Sequence, residues 1–158
     1  MRNGGGSLNV NRFYVFAAVW GLVDAVVAIT FIEKGRSGAT TGVSILVELV
    51  AIAIAFMAGR QAKMSGGRPW PVGAVAGLLF GLFAGWSAFL IHITRQDLVS
   101  RAHNLTPAQI SLALKAANTP VAHVGTWVVA MIEGLILGII LGWAGGMTGR
   151  SPTQTQDV

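Results

Sequence analysis

Four long apolar runs, divided by polar segments, set the plan of this chain. They cover residues 13–32, 41–58, 70–94 and 121–146. A helix rises 1.5 Å per residue, so a run of about 20 residues crosses a hydrocarbon core about 30 Å thick. The pattern predicts an all-α protein: an integral membrane bundle of four helices. Residues 1–12 and 147–158 are polar and read as flexible tails. The first run is too long for a signal-peptide core and carries Asp24, and no small-x-small cleavage site follows cleanly. It is expected to stay as a span.

Between the third and fourth runs lies a long polar connection with a helical signature of its own, residues 106–118. Thr106 can cap its start, Pro107 suits a first turn, and Gln109 completes a capping box. Asn118 and Pro120 stop it. Ile110, Leu114 and Ala117 share one face. A short amphipathic helix is therefore expected, flat on the membrane surface or across the bundle mouth. A plain connector is the alternative.

Two runs carry a second period. Glycines recur at Gly73, Gly77, Gly81 and Gly85, and again at Gly134, Gly138, Gly142 and Gly146. In water a mid-helix glycine costs about 0.5–1 kcal/mol relative to alanine. In a bilayer no water competes for the backbone hydrogen bonds, and helices associate by close packing rather than by hydrophobic burial. Small residues at every fourth place cut a groove in which two backbones can meet. A glycine zipper is expected on spans three and four, against each other or against a second copy of the chain.

Composition supports the bilayer. Hydrophobic residues make up 53% of the chain and charged residues 11%, against about 25% charged in soluble domains. Mean hydropathy is +0.65. The net charge of +5 does not point to nucleic acid. The basic residues are not gathered on one face but flank the apolar runs, as lysine and arginine do at a membrane surface. With cytoplasmic termini, Arg2, Arg12, Arg60, Lys63, Arg68 and Arg150 lie inside, and Lys34, Arg36, Arg95, Arg101 and Lys115 outside. The compact basic loop at 60–68 favours that orientation, in a bacterial cytoplasmic membrane. Trp20, Trp70 and Trp143 lie toward run ends, where indole rings favour the interface.

Three acids break the apolar pattern: Asp24, Glu48 and Glu133, each near the middle of its run. None has a basic residue within its span. An ionised carboxylate there costs about 2.5–3.5 kcal/mol on insertion scales. It is accommodated by protonation, by a wet cavity, by a bound cation or by hydrogen bonds across helices. Intramembrane acids are by default a functional hypothesis, here an ion, proton or substrate site. The plainer reading is neutral carboxyls bonding to neighbouring helices or to a partner protein. Glu133 sits about 100° round its helix from the glycine stripe, so it can flank the seam.

His92 and His123 fall on the glycine faces at the same side of the membrane, and His103 lies in the adjoining loop. If the stripes pack together, the imidazoles of His92 and His123 should approach. They form a secondary polar site, read first as interfacial groups bonding loop carbonyls. Haem or metal ligation is the alternative, against which stands the tightness of a glycine seam. No cofactor or metal is expected. There is no cysteine, no G-x-S-x-G serine, no H-E-x-x-H and no phosphate loop. No enzyme is expected.

Four short spans with intramembrane acids resemble the layout of the small multidrug resistance transporters, in which a membrane glutamate handles protons and cationic drugs. The resemblance is one of architecture. The Asp24 segment does not match their first helix, and they lack the long connection before span four, so no residue is carried over. Two functions stay open. One is a transporter or channel for protons, cations or cationic molecules. The other is a non-catalytic accessory subunit or scaffold that joins a homo-oligomer or a larger membrane complex.

Overall fold

A computed structural model of the chain describes residues 5–34, 38–101 and 105–149. Residues 1–4 and 150–158 of the expected tails at 1–12 and 147–158, and His103, lie outside the described residues. The described residues form seven helices and no strand. They are α1 (Gly5–Lys34), α2 (Gly38–Met64), α3 (Pro69–Ala84), α4 (Ser87–Leu90), α5 (Arg95–Arg101), α6 (Pro107–Ala117) and α7 (Pro120–Thr148). Four stretches are long and apolar enough to cross a membrane: Val10–Phe31, Thr41–Met64, Pro69–Leu90 and Pro120–Thr148. This is an all-α, multi-pass membrane protein.

The helices run up and down, with α2 and α3 as the central pair, α1 on one flank and α7 on the other. The buried apolar positions are nearly all alanine: Ala17, Ala55, Ala58, Ala62, Ala74, Ala76 and Ala84 among them. Large side chains such as Phe16, Val26, Leu49, Leu137 and Ile140 are exposed instead. A water-soluble bundle would bury those and expose the small ones. Here lipid takes the large groups, and the small residues let the helices close.

Several boundaries differ from the expected ones. α1 starts at Gly5, so residues 5–12 continue the helix rather than forming a tail. The first span therefore begins at Val10, which puts Trp20 at its centre and not at an interface. α2 runs on through Arg60 and Lys63 to Met64. It ends in a Schellman motif: Gly66 takes φ 76°, its N–H bonds Lys63 O, and Gly67 N–H bonds Ala62 O at 2.8 Å. An L side chain is disfavoured at that left-handed position. The third span is not one continuous helix to residue 94. α3 stops at Ala84, the chain tightens at Gly85–Trp86, and one further turn, α4, completes the crossing. α7 extends to Thr148, two residues into the expected tail.

The long connection holds two helices. α6 carries the capping box expected of Thr106 and Gln109, and Ile110 is its buried residue. Helix α5 was not expected. Its start is a second reciprocal cap, in which Asp97 Oδ2 accepts from Thr94 N–H at 2.8 Å and Asp97 N–H donates back to Thr94 Oγ1 at 3.4 Å. Asn118, beyond α6, clasps the non-helical segment 91–94 before α5. Its Oδ1 accepts from Ile93 N–H, and its Nδ2 donates to Ile93 O, both at 2.9 Å.

Candidate functional site

The glycine residues position the helices on which the acids stand. α3 and α7 meet backbone to backbone in antiparallel register. Gly73 faces Gly138 and Gly142, Gly77 faces Gly134 and Gly138, and Gly81 faces Ala130 and Met131. Gly85 meets the Trp127 ring, and Gly146 meets the Pro69 ring. Trp127 also donates its indole N–H to Leu82 O at 2.9 Å, tying α7 to α3 beyond the last glycine pair.

A second seam, unread in the sequence, joins α2 to α7. Gly59 lies on Gly142, and Gly145 lies on Phe56 O and Arg60 N. These glycines stand alone or beside a stripe, so they carry no four-residue period to signal them. Gly21 does the same between α1 and α3, against Phe80 O, Phe83 and Ala84.

Asp24 is half-buried on α1, one turn beyond Trp20 and Gly21. Both of those residues fix its helix. Gly21 holds α1 on α3, and the Trp20 indole N–H donates to Val47 O at 2.8 Å, holding α1 on α2. Glu48 follows Val47 directly. One hydrogen bond therefore sets the Asp24 helix against the Glu48 helix. Asp24 and Glu48 are each the eighth residue from the connected ends of spans one and two. Glu48 was expected near mid-run; the extension of α2 leaves it in the first third. Glu133 precedes Gly134, which is locked on Gly77.

The three acids line one cavity of about 300 Å³. All four long helices wall it, chiefly with alanine, glycine and aliphatic groups such as Ala55, Ala76 and Leu137, plus the Phe80 ring. No lysine or arginine lines it. Glu48 and Glu133 are exposed while lining it, so the cavity reaches the bundle surface beside them. Three carboxyls in a pocket without a fixed cation can hold protons, admit water, take a mobile cation in exchange, or accept hydrogen bonds from a further helix.

The rings of His92 and His123 lie 6.0 Å apart, centroid to centroid. The route to that meeting differs from a shared helical face, because His92 sits on the non-helical segment 91–94 rather than on α3. Phe89 packs beside the pair, 6.5 Å from His123 and 5.8 Å from Trp127. Among the described residues, no group of three or more His, Asp or Glu is arranged to hold a metal ion. His123, with Ser87, Thr126 and Asp24, lines a second cavity. Ser87 and Thr126 were not singled out in the sequence; isolated hydroxyls near span ends carry no pattern.

Comparison with protein-family models, with curated proteins and with solved structures gives no match.

Proposed function

We propose that this membrane protein carries protons or small cations across the bilayer, with Asp24, Glu48 and Glu133 as the exchange groups. One observation carries the reading: acids from three separate helices line a single cavity that has no basic residue in its wall. A static bundle has no use for that convergence. It would cap each carboxyl singly with a neighbouring hydroxyl or amide, because an unpaired charge in hydrocarbon is costly. A mobile cation supplies the missing countercharge, and the small residues around the cavity leave room for it. No chemical reaction is part of this reading. We place both termini on the cytoplasmic side of a bacterial membrane, guided by Arg60, Lys63 and Arg68 around the α2–α3 turn.

Flux of protons and monovalent cations into proteoliposomes tests it, with Asp24→Asn, Glu48→Gln and Glu133→Gln beside the parent. Loss of about a hundredfold or more in each variant is expected, the order contributed by a positioned proton-transfer group. Full flux in all three would rule the reading out.

A second reading is an accessory subunit of a larger complex. The exposure of Glu48 and Glu133 favours it, since donors on a partner helix would satisfy them. Such a partner would need a face other than the glycine stripes, which are engaged within one chain.

A further inference from the structure

The second cavity, about 280 Å³, lies next to the first. Three residues line both: Asp24, Ala84 and Ala130. Two of these offer only a methyl group. Asp24 is thus the one ionisable side chain common to the two cavities. The first cavity adds Glu48 and Glu133 to it; the second adds His123, Ser87 and Thr126.

The break in span three accounts for the second space. α3 ends at Ala84, and the chain turns at Gly85–Trp86 before α4 resumes at Ser87. Ala84, Gly85, Ser87 and Ala88 line the cavity at that break, opposite Thr126 and Ala130 of α7. Small groups on both sides leave the gap unfilled. Its outer wall is Ile93 with Ala117, at the end of α6, and the Asn118–Ile93 clasp joins these two segments. The cavity therefore extends from Asp24 toward the face that carries α5 and α6.

We propose that the second cavity is the aqueous route from the α5–α6 face to Asp24, and that Asp24 passes a proton or cation between the two cavities. The inference rests on the transport reading for its cargo. For a proton, the Asp24 carboxyl O–H breaks and the proton leaves to water in one cavity. The carboxylate then takes a proton from water in the other, restoring the starting state.

The chain has no cysteine, so single thiols report local wetting without background. Only the thiolate reacts with a charged methanethiosulfonate, and a thiolate forms only where water reaches. Four variants in proteoliposomes decide the matter. Ser87→Cys and Ala88→Cys line the cavity. Leu112→Cys, 70% exposed on α6, marks the reagent's side. Val129→Cys is 51% exposed, lines neither cavity and faces lipid.

A membrane-impermeant trimethylammonium reagent should label Ser87→Cys and Ala88→Cys from the same side as Leu112→Cys. The rate should exceed that of Val129→Cys by about a hundredfold, the order set by loss of the thiolate in an apolar site. Labelling of both no faster than Val129→Cys, or only from the opposite side, would overturn the route. Reaction at Ser87→Cys should also cut flux about tenfold, as blocking a proton-transfer path does; labelling that leaves flux unchanged would overturn the role of Asp24. A parent without flux would sink the transport reading, and labelling would still decide whether the cavity is wet.

Discussion

Gly77 and Gly134 touch across α3 and α7, so that a Cβ on either would strike the carbonyl oxygen of the other. The obstacle is backbone on both sides, with no flexible side chain to move aside. Adding one methyl group forces the helices apart, and Glu133, next to Gly134, rides on one of them.

Gly77→Ala should therefore destabilise the bundle by about 1–3 kcal/mol, the usual cost of overpacking. Gly125→Ala, on the same α7, is the control, because a Cβ there meets nothing within 4 Å. It should be neutral or slightly stabilising. Reversible unfolding in mixed micelles reads both. Equal stability of the two variants would mean that the α3–α7 seam does not hold the fold.

The fold was legible because a bilayer demands long uninterrupted apolar helices, and a period of four in glycine is visible without any contact information. Less could be read where local chemistry sets the boundary. Gly66, in the left-handed position, ends α2 at Met64, beyond the expected end of the apolar run at residue 58. The tightening at Gly85–Trp86 splits span three with no proline to announce it. Asp24, Glu48 and Glu133 stood out as acids in apolar runs, but their convergence depends on Trp20 reaching Val47 and on Gly21 meeting α3. Neither contact leaves a periodic trace. The second cavity was illegible, since it is a gap between small residues of α3, α4 and α7.

Trp20 and Trp127 each use an indole N–H to bond a backbone carbonyl on a neighbouring helix, Val47 O and Leu82 O. Phenylalanine keeps the ring and removes the donor. Trp20→Phe and Trp127→Phe should each cost about 0.5–1.5 kcal/mol, the net value of a typical hydrogen bond. Trp143→Phe, at a 57% exposed position, should cost less than either. The same unfolding assay checks this, and an unchanged midpoint in both the Trp20→Phe and the Trp127→Phe variant would contradict it.

Asn118 closes two hydrogen bonds on Ile93 with one side-chain amide. Asn118→Ala removes both, and the Ile93 amide should then exchange with deuterium about tenfold faster or more, given about 1–3 kcal/mol for unpaired backbone groups. Exchange along α7 should stay as in the parent, because the clasp contacts only the loop face. Hydrogen–deuterium exchange by mass spectrometry resolves the two segments. Unchanged exchange at residues 91–94 would show that the clasp does not hold the outer wall of the second cavity.

The central claim is that Asp24, Glu48 and Glu133 act as one exchange site. The measurement that meets it most directly is proton and monovalent-cation flux in proteoliposomes, for the parent and for the variant with all three acids changed to amides. The amides keep shape and hydrogen-bonding capacity but cannot carry a charge. Flux is expected in the parent and should vanish in the variant while its fold and oligomeric state are unchanged. Equal flux in both, or none in a well-folded parent, would contradict it.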